Sequence, residues 1–327
     1  MKRPNIDFLE SVCACPNCGD SLKFRSANSI LCAQCSSEFS TYQNALVLFS
    51  KENSLFRTSD YADTAIASDT QPCKKTATVK QSVTRTLKKH MPSKSINLSR
   101  ERLFESLAKR IGEAELSLLV VGCGNQTQQL EKYFGESNVT FVFCDIDKAA
   151  DVDIFCDAHH LPFQADTFDG LITTAVLEHV LYPEQVVAEI ARVLKVGAFI
   201  YSEVPFLQSV HEGAYDFTRY TMSGHRRLLE HFDEIEAGMV AGPATALVWS
   251  LCSFSKTLFK ASFLSQAFSI FTQYSLFWIK YFDLLVQKNP AALDFASCTY
   301  FFGEKIASKV SPETIVEKYG DSSFTHV

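Results

Sequence analysis

The sequence lacks two features that would announce a function early: an excess of positive charge and a leading apolar segment. Lys and Arg number 31 against 37 Asp and Glu, a formal net charge of −6. Bulk electrostatics therefore make no case for wholesale nucleic-acid binding. The opening residues, MKRPNIDFLESV, contain no uninterrupted apolar stretch of the kind a secretory signal uses. No internal repeat is evident. With 46% hydrophobic and 21% charged residues, overall disorder is excluded. What is plentiful is cysteine, 11 residues in all. Without a signal, and with four of them in paired CxxC spacing, they point to a reduced cytosolic chain with a metal site rather than to disulfides.

A length of 327 residues suits about two domains, and the composition divides accordingly. Residues 8–50 hold both CxxC pairs and short β-like runs at Ser29–Cys32 and Ala45–Phe49. Residues 51–95 are rich in Ser, Thr and Lys and read as a linker or weakly ordered arm. Lys74, Lys75, Lys80, Lys88 and Lys89 fall there, either as a solvated tether or as contacts to phosphate or anionic lipid. From 96 to 310 helix and strand patterns alternate, and 311–327 reads as a C-terminal tail.

Within that larger region Leu103, Phe104, Leu107 and Ile111 form one helical face that Gly112 ends. Leu116–Val121, Thr140–Cys144 and Phe168–Thr173 are apolar runs suited to strands buried on both faces. Val186, Ile190, Val193 and Leu194 mark a helix before a strand at Ala198–Glu203. A further strand is expected near Ile235–Val240 and a last one at Ser297–Phe302. The expected class is α/β, a doubly wound Rossmann-like sheet. Residues 243–290 form a helical, aromatic-rich insertion before its last strand.

Cys15-Pro-Asn-Cys18 and Cys32-Ala-Gln-Cys35 supply four thiolates in two knuckles, enough to close a tetrahedral site around one structural zinc ion. Cys13 sits where an apolar residue would pack and is left out of the ligand set. With Phe39 and Ala45–Phe49, this segment resembles the Trm112-like zinc ribbon. Members of that family act as small partners of methyltransferases, and here the module looks fused to one.

Leu118-Leu119-Val120-Val121-Gly122-Cys123-Gly124-Asn125 is a buried strand running into a glycine turn, where a nucleotide could approach the backbone. Asp145 closes the next strand, where a carboxylate can accept from both ribose hydroxyls. Asp157-Ala158, Leu161-Pro162-Phe163, Thr167-Phe168-Asp169, Leu177-Glu178-His179-Val180 and Glu189-Ile190-Ala191-Arg192-Val193-Leu194-Lys195 follow in order. The series resembles the class I S-adenosylmethionine-dependent methyltransferases, of the methyltransferase type 11-like branch. The resemblance implies that Gly122, Cys123 and Gly124 line the methionine part of the cofactor, and that Asp145, with Ile146 beside it, takes the ribose. It further implies that Asp157 bonds the adenine amine, that Ala158 lies beside the ring, and that Thr174 borders the methyl group. The sequence departs from the family where Val120 replaces an acidic residue, where Gln126 replaces a small one, and where Val196-Gly197-Ala198 replaces Pro-Gly-Gly.

Acceptor residues should follow the fourth and fifth strands, whose carboxyl ends face the cofactor. The loop from Glu203 to Tyr220 collects His211, Glu212, Tyr215, Asp216 and Arg219, a set suited to a polar acceptor. His211 is the candidate general base because its ordinary pKa suits neutral operation; a substrate hydrogen bond and an Arg219–Asp216 pair that merely holds the loop are the alternatives. His179 reads as positional, and His159 and His160 lie beside the adenine region without an assigned role.

Ala261–Ile279 contains no charged residue. It fits a helical cap over the acceptor site, an interfacial helix pair touching lipid, or, least well, a membrane span. The combined expectation is an S-adenosylmethionine-dependent methyltransferase acting on a glycan, lipid-linked or other small-molecule acceptor. Such a protein is cytoplasmic, peripheral to the inner face of a membrane if 243–290 touches lipid. An RNA or protein methyltransferase and a non-catalytic scaffold remain as rivals.

Overall fold

A computed structural model describes residues 1–26, 29–53, 55–61, 91–124 and 126–320. Among these the strands are β1 (Leu22–Ser26), β2 (Ser29–Cys32), β3 (Glu38–Tyr42), β4 (Ala45–Val47), β5 (Ser117–Val121), β6 (Thr140–Asp145), β7 (Ile154–Phe155), β8 (Phe168–Thr174), β9 (Leu194–Pro205), β10 (Phe232–Ala241) and β11 (Cys298–Lys305). The principal helices are α1 (Ile6–Val12), α2 (Arg100–Ile111), α3 (Thr127–Phe134), α4 (Pro183–Val193), α5 (Met222–Leu228), α6 (Pro243–Thr257) and α7 (Ser262–Leu276). The five lysines singled out between 74 and 89 lie outside the described residues.

One sheet runs through these strands in the order β1-β2-β3-β4-β7-β6-β5-β8-β9-β11-β10. From β4 to β9 across the sheet every pairing is parallel. β11 then inserts antiparallel between β9 and β10. The chain leaves β5 first toward β6 and β7, and later returns to its other side with β8 and β9. The switch point of this doubly wound sheet therefore lies at the carboxyl ends of β5 and β8, where a crevice opens.

The apolar runs are continuous because both sheet faces are covered. Leu119, Val121, Val142 and Leu171 pack with Val186, Val187 and Ile190 of α4 on one side. Leu118, Val120, Phe141, Phe143 and Ile172 pack with Leu107 of α2 and Leu130 of α3 on the other. Gly112, with φ +57°, adopts the left-handed turn that ends α2. Val120 thus belongs to the core, at 1% exposure.

The cysteine-bearing segment is joined to this sheet edge to edge: β4 pairs in parallel with β7, Leu46 opposite Ile154 and Val47 opposite Phe155. Phe49, Tyr61 and Phe155 close the junction, with ring centroids 4.8 and 5.1 Å apart from Tyr61. The segment is therefore an extension of the sheet, a long-range pairing that local sequence patterns do not encode.

The expected insertion at 243–290 is largely helical: α6 and α7, joined by a non-helical bend at 258–261, pack against each other, and helical turns continue through Phe277–Val286. The fully buried Asp283 accepts from the amides of Gly242 (3.1 Å), Ala244 (2.7 Å) and Thr245 (3.1 Å). It serves α6 as an N-cap supplied from across the hairpin, satisfying donors the helix itself leaves free. The strand of chain before α2 is docked here too. Gln273 and Lys280 donate to the carbonyls of Pro92 and Ser93 (2.7 and 2.8 Å), and the Trp249 indole donates to Ser95 Oγ (3.0 Å). Among the described residues, no helix is long and apolar enough to cross a membrane.

Candidate cofactor cleft and acceptor loop

The glycine turn after β5 is dictated by contact on one side and by backbone on the other. Gly122 has φ +68°, and a Cβ there would stand 2.1 Å from Val176 Cγ2. Gly124 has φ +47° but open space where a Cβ would project. Its amide donates to Asp145 Oδ2 (2.8 Å), while Asp145 Oδ1 accepts from Ile146 (2.7 Å) and Asp147 (3.0 Å). One carboxylate thus ties the ends of β5 and β6 together across the switch point.

A cleft of about 730 Å³ opens there, and Gly122, Gly124, Asp145, Ile146, Asp157, Ala158 and Thr174 all line it. Cys123 differs from its expected place. Its side chain is fully buried in the core beneath the turn, and it is not a lining residue. The alternation of the chain sends the middle residue of the turn inward while both glycines face the cleft.

Asp157 is already partly engaged. Its Oδ1 accepts from the His159 amide (2.9 Å) and ring Nδ1 (2.6 Å), and its Oδ2 from Asn53 Nδ2 (2.6 Å). The Tyr182 amide donates to His159 Nε2 (3.1 Å), so Nδ1 carries the ring proton. Burial works to raise the Asp157 carboxyl, but the His159 and Asn53 hydrogen bonds outweigh it and hold the group below its ordinary range. Gln126, at the family's small-residue position, donates to the Thr174 hydroxyl at the cleft wall.

Some residues in and behind the cleft wall carry no assignment from the sequence, among them His159, Asn53 and Phe56. His159 has no signal beyond its adjacency to Asp157. Asn53 and Phe56 come from the linker-like stretch, yet Asn53 bonds Asp157 and Phe56 lines the cleft. No periodic pattern marks either. The family-like Glu189 and Arg192, by contrast, are structural: Glu189 accepts from the Leu161 amide (2.9 Å), and Arg192 donates to the Phe163 and Leu161 carbonyls (2.7 and 2.8 Å). Together they clamp the 161–163 turn.

The loop after β9 folds back onto Glu178: the amides of Phe217 and Thr218 donate to its carbonyl (2.8 and 3.3 Å). Arg219 grips Asp216 with both guanidinium nitrogens, which, with the His211 amide (2.9 Å), holds that carboxyl well below the usual carboxylate range. His211 does not line the cleft. Its ring lies 4.9 Å from that of His179, which does, and 6.2 Å from that of Trp249 in α6. The helical hairpin therefore touches the acceptor loop while contributing no residue to the cleft wall. Glu178 is fully buried and both its carboxylate oxygens lack a hydrogen-bond partner; burial pushes its carboxyl up to about 8.

At the far end of the sheet the four CxxC sulfurs converge. Cys15 and Cys35 Sγ are 3.6 Å apart, Cys18 and Cys32 Sγ 3.4 Å, and all four fall within 4.8 Å of one another. Cys13, outside the set, is buried in the core.

Residues 119–202 match the family model described as a methyltransferase domain. That span begins in β5 and ends in β9, enclosing the glycine turn, Asp145, Asp157 and Glu178. The chain carries a methyltransferase domain. No curated protein matches the chain in sequence. Among solved structures, the cyclase SpnF is 16% identical over 69% of this chain and 93% of its own, with a TM-score of 0.44. The Haemonchus contortus phosphoethanolamine N-methyltransferase 2 bound to S-adenosyl-L-methionine is 15% identical over 63% of this chain and 52% of its own, with a TM-score of 0.39. A Haloferax volcanii complex of the Trm112 methyltransferase activator with a candidate methyltransferase is 14% identical over 63% of this chain and 91% of its own, at a TM-score of 0.38. Likenesses this distant say nothing of substrate or partner.

Proposed function

We propose that the chain is an S-adenosylmethionine-dependent methyltransferase acting on a glycan, lipid-linked or other small-molecule acceptor. The supporting observation is the convergence of Gly122, Gly124, Asp145, Asp157, Ala158 and Thr174 on one cleft at the switch point of the sheet. The two carboxylates are hydrogen-bond acceptors suited to a ribose hydroxyl and an adenine amine. A carboxylate offers about four lone-pair positions, and Asp145 and Asp157 each use three on the protein. Each keeps one for a ligand donor. Bound there, the cofactor supplies an electrophilic methyl group. The chain's own residues bind it, exclude water and align the acceptor.

The cysteine cluster is read as a structural zinc site, the core of a Trm112-like ribbon. Zn–S bonds of about 2.3 Å in a tetrahedron hold sulfurs about 3.8 Å apart, close to the spacings of 3.4 and 3.6 Å. Four protein ligands leave no open position, so the ion's role is to stabilise. The preference for a lipid-linked acceptor rests on the hairpin. Phe254, Phe263, Phe271, Trp278 and Phe282 are exposed on it, with Lys256 and Lys260 nearby, a pattern suited to a membrane interface.

Calorimetric titration of zinc-loaded protein with S-adenosylmethionine tests the reading. Saturable micromolar binding is expected, weakened at least tenfold (about 1.4 kcal/mol) by Asp145→Asn. Absence of binding by folded protein would overturn the reading and favour the scaffold.

A further inference from the structure

The methyl-transfer reading occupies the glycine side of the cleft and leaves Glu178 without a task. Its carboxylate is fully buried and unpartnered at both oxygens, a costly arrangement unless another group meets it. The group closest to it is itself poorly matched. His179 Nε2 lies 3.6 Å from Glu178 Oε1. The other ring nitrogen, Nδ1, lies 2.8 Å from the Tyr215 carbonyl. A carbonyl only accepts, so Nδ1 holds the proton and Nε2 turns its lone pair toward the carboxylate. One positive charge is shared across that gap: the carboxyl's own proton, which burial retains, or a metal ion that displaces it.

His211 completes the arrangement. Its ring stands edge-on to that of His179, and the ligand atoms of Glu178, His179 and His211 all lie within 4.8 Å of one another. The nearby cations are already committed: Arg219 is paired with Asp216, and Arg100 with Glu203 (2.7 Å). Neither neutralises Glu178, and Glu212 adds a further negative charge at the cleft wall.

We propose that Glu178, His179 and His211 form a divalent-cation site at the acceptor edge of the cleft. Two imidazoles and one carboxylate are the donor set of open-sided Mn²⁺, Fe²⁺ and Zn²⁺ centres. Bonds of about 2.1 Å place neighbouring donors about 3 Å apart and opposite ones about 4.2 Å apart, so side-chain movements of about half an ångström or more would seat the ion. The His179 Nδ1–H···O=C bond is the outer hydrogen bond that fixes a ligating histidine's tautomer. Three protein ligands leave positions open, and His179 lines the cleft, so those positions face the bound acceptor. This last step rests on the methyl-transfer reading: an oxygen of the acceptor, from a hydroxyl or carboxylate, would complete the ion's shell and be held beside the donor.

The test is titration with Mn²⁺ of protein carrying a single equivalent of zinc, which the four thiolates take first, followed by the paramagnetic resonance signal of the free aqueous ion and by thermal melting. Thiolates favour zinc over manganese, so the cysteine cluster does not compete. Uptake of one Mn²⁺ per chain with a raised Tm is expected. Glu178→Gln should weaken uptake about tenfold or more, and so should His211→Ala. Without metal, Glu178→Gln should melt no lower than the parent, because it replaces a buried carboxyl that burial already holds largely protonated with a neutral isostere. No uptake at millimolar Mn²⁺, or uptake unchanged in both variants, overturns the proposal. Titration of the same samples with S-adenosylmethionine separates the two readings. Cofactor binding without Mn²⁺ uptake leaves only methyl transfer standing, and Mn²⁺ uptake without cofactor binding leaves only the metal site.

Discussion

The two edges of the cleft are built on opposite principles. On the cofactor edge, Asp145 and Asp157 have nearly all their lone pairs occupied by backbone amides, His159 and Asn53. On the acceptor edge, Glu178 has none occupied and two histidine rings crowd toward it. The first edge is hydrogen-bonded into place before any ligand arrives, an arrangement that limits the binding energy lost to reorganisation. The second is complete only when something positive enters. A site that holds one common molecule and reads another, variable one can be divided in this way: the constant partner gets a preset cradle, and the acceptor gets groups whose pairing is deferred.

Substitutions in the cradle give the sharpest contrast. Gly122→Ala must both force a left-handed φ on alanine and drive its Cβ into Val176. Calorimetry should show cofactor affinity falling at least a hundredfold (about 2.7 kcal/mol), and retention of binding would break the idea of a preset edge. Acid separates the cradle from the core beneath the sheet next. His225, fully buried under β9 and β11 against Ser202 Oγ (2.9 Å), is pushed down to about 3 by burial. A histidine with its folded pKa below its unfolded value destabilises the fold as pH drops below about 6.5, by up to about 1.4 kcal/mol per pH unit. Asp157 is also held below its ordinary value, but as a carboxylate its stability contribution persists until pH falls below the usual carboxylate range. Melting curves should therefore show Tm declining from about pH 6.5, and His225→Asn should flatten that decline above about pH 4. A slope unchanged by the substitution would contradict the neutral, buried state of His225.

Smaller effects refine the picture. Gly124→Ala meets no atom and only strains the backbone, so it should cost about 1 kcal/mol, roughly fivefold in cofactor affinity. A loss equal to that of Gly122→Ala would mean that turn strain, and not the Val176 contact, governs the cradle. Asn53→Ala removes one of three bonds to Asp157 and should weaken cofactor binding by a few-fold, near the value of one hydrogen bond, about 1 kcal/mol. It is also a direct check that the segment after the ribbon belongs to the cleft.

The parts of the fold that are legible in the sequence are those whose cause is local. Leu116–Val121, Thr140–Cys144 and Phe168–Thr173 are largely apolar runs because both sheet faces are covered, and each holds a strand where expected, the first running Ser117–Val121. Gly122 and Gly124 are readable because a turn with positive φ leaves a glycine signature, and the cluster of Cys15, Cys18, Cys32 and Cys35 because its members stand in two CxxC pairs. What escapes is nonlocal. Nothing in Ala45–Val47 or Ile154–Phe155 announces that they pair in parallel, and so in sequence the ribbon reads as a module apart rather than an extension of the sheet. Asn53 and Phe56 act through a fold-back of the chain that composition does not record. Cys123 is expected on the cleft because its neighbours are there, although turn geometry points it inward. The predicament of Glu178 is visible only once its burial is known; in sequence it is one member of a common Leu-Glu-His string.

The measurement that tests the central claim most directly is amide hydrogen exchange of the intact, zinc-loaded protein with and without S-adenosylmethionine. The account predicts slowed exchange confined to the turn after β5, to Ile146–Asp147 and to Ala158–His159, with β1 to β3 of the ribbon unchanged. Protection elsewhere, or none at saturating cofactor, would contradict the assignment of this cleft.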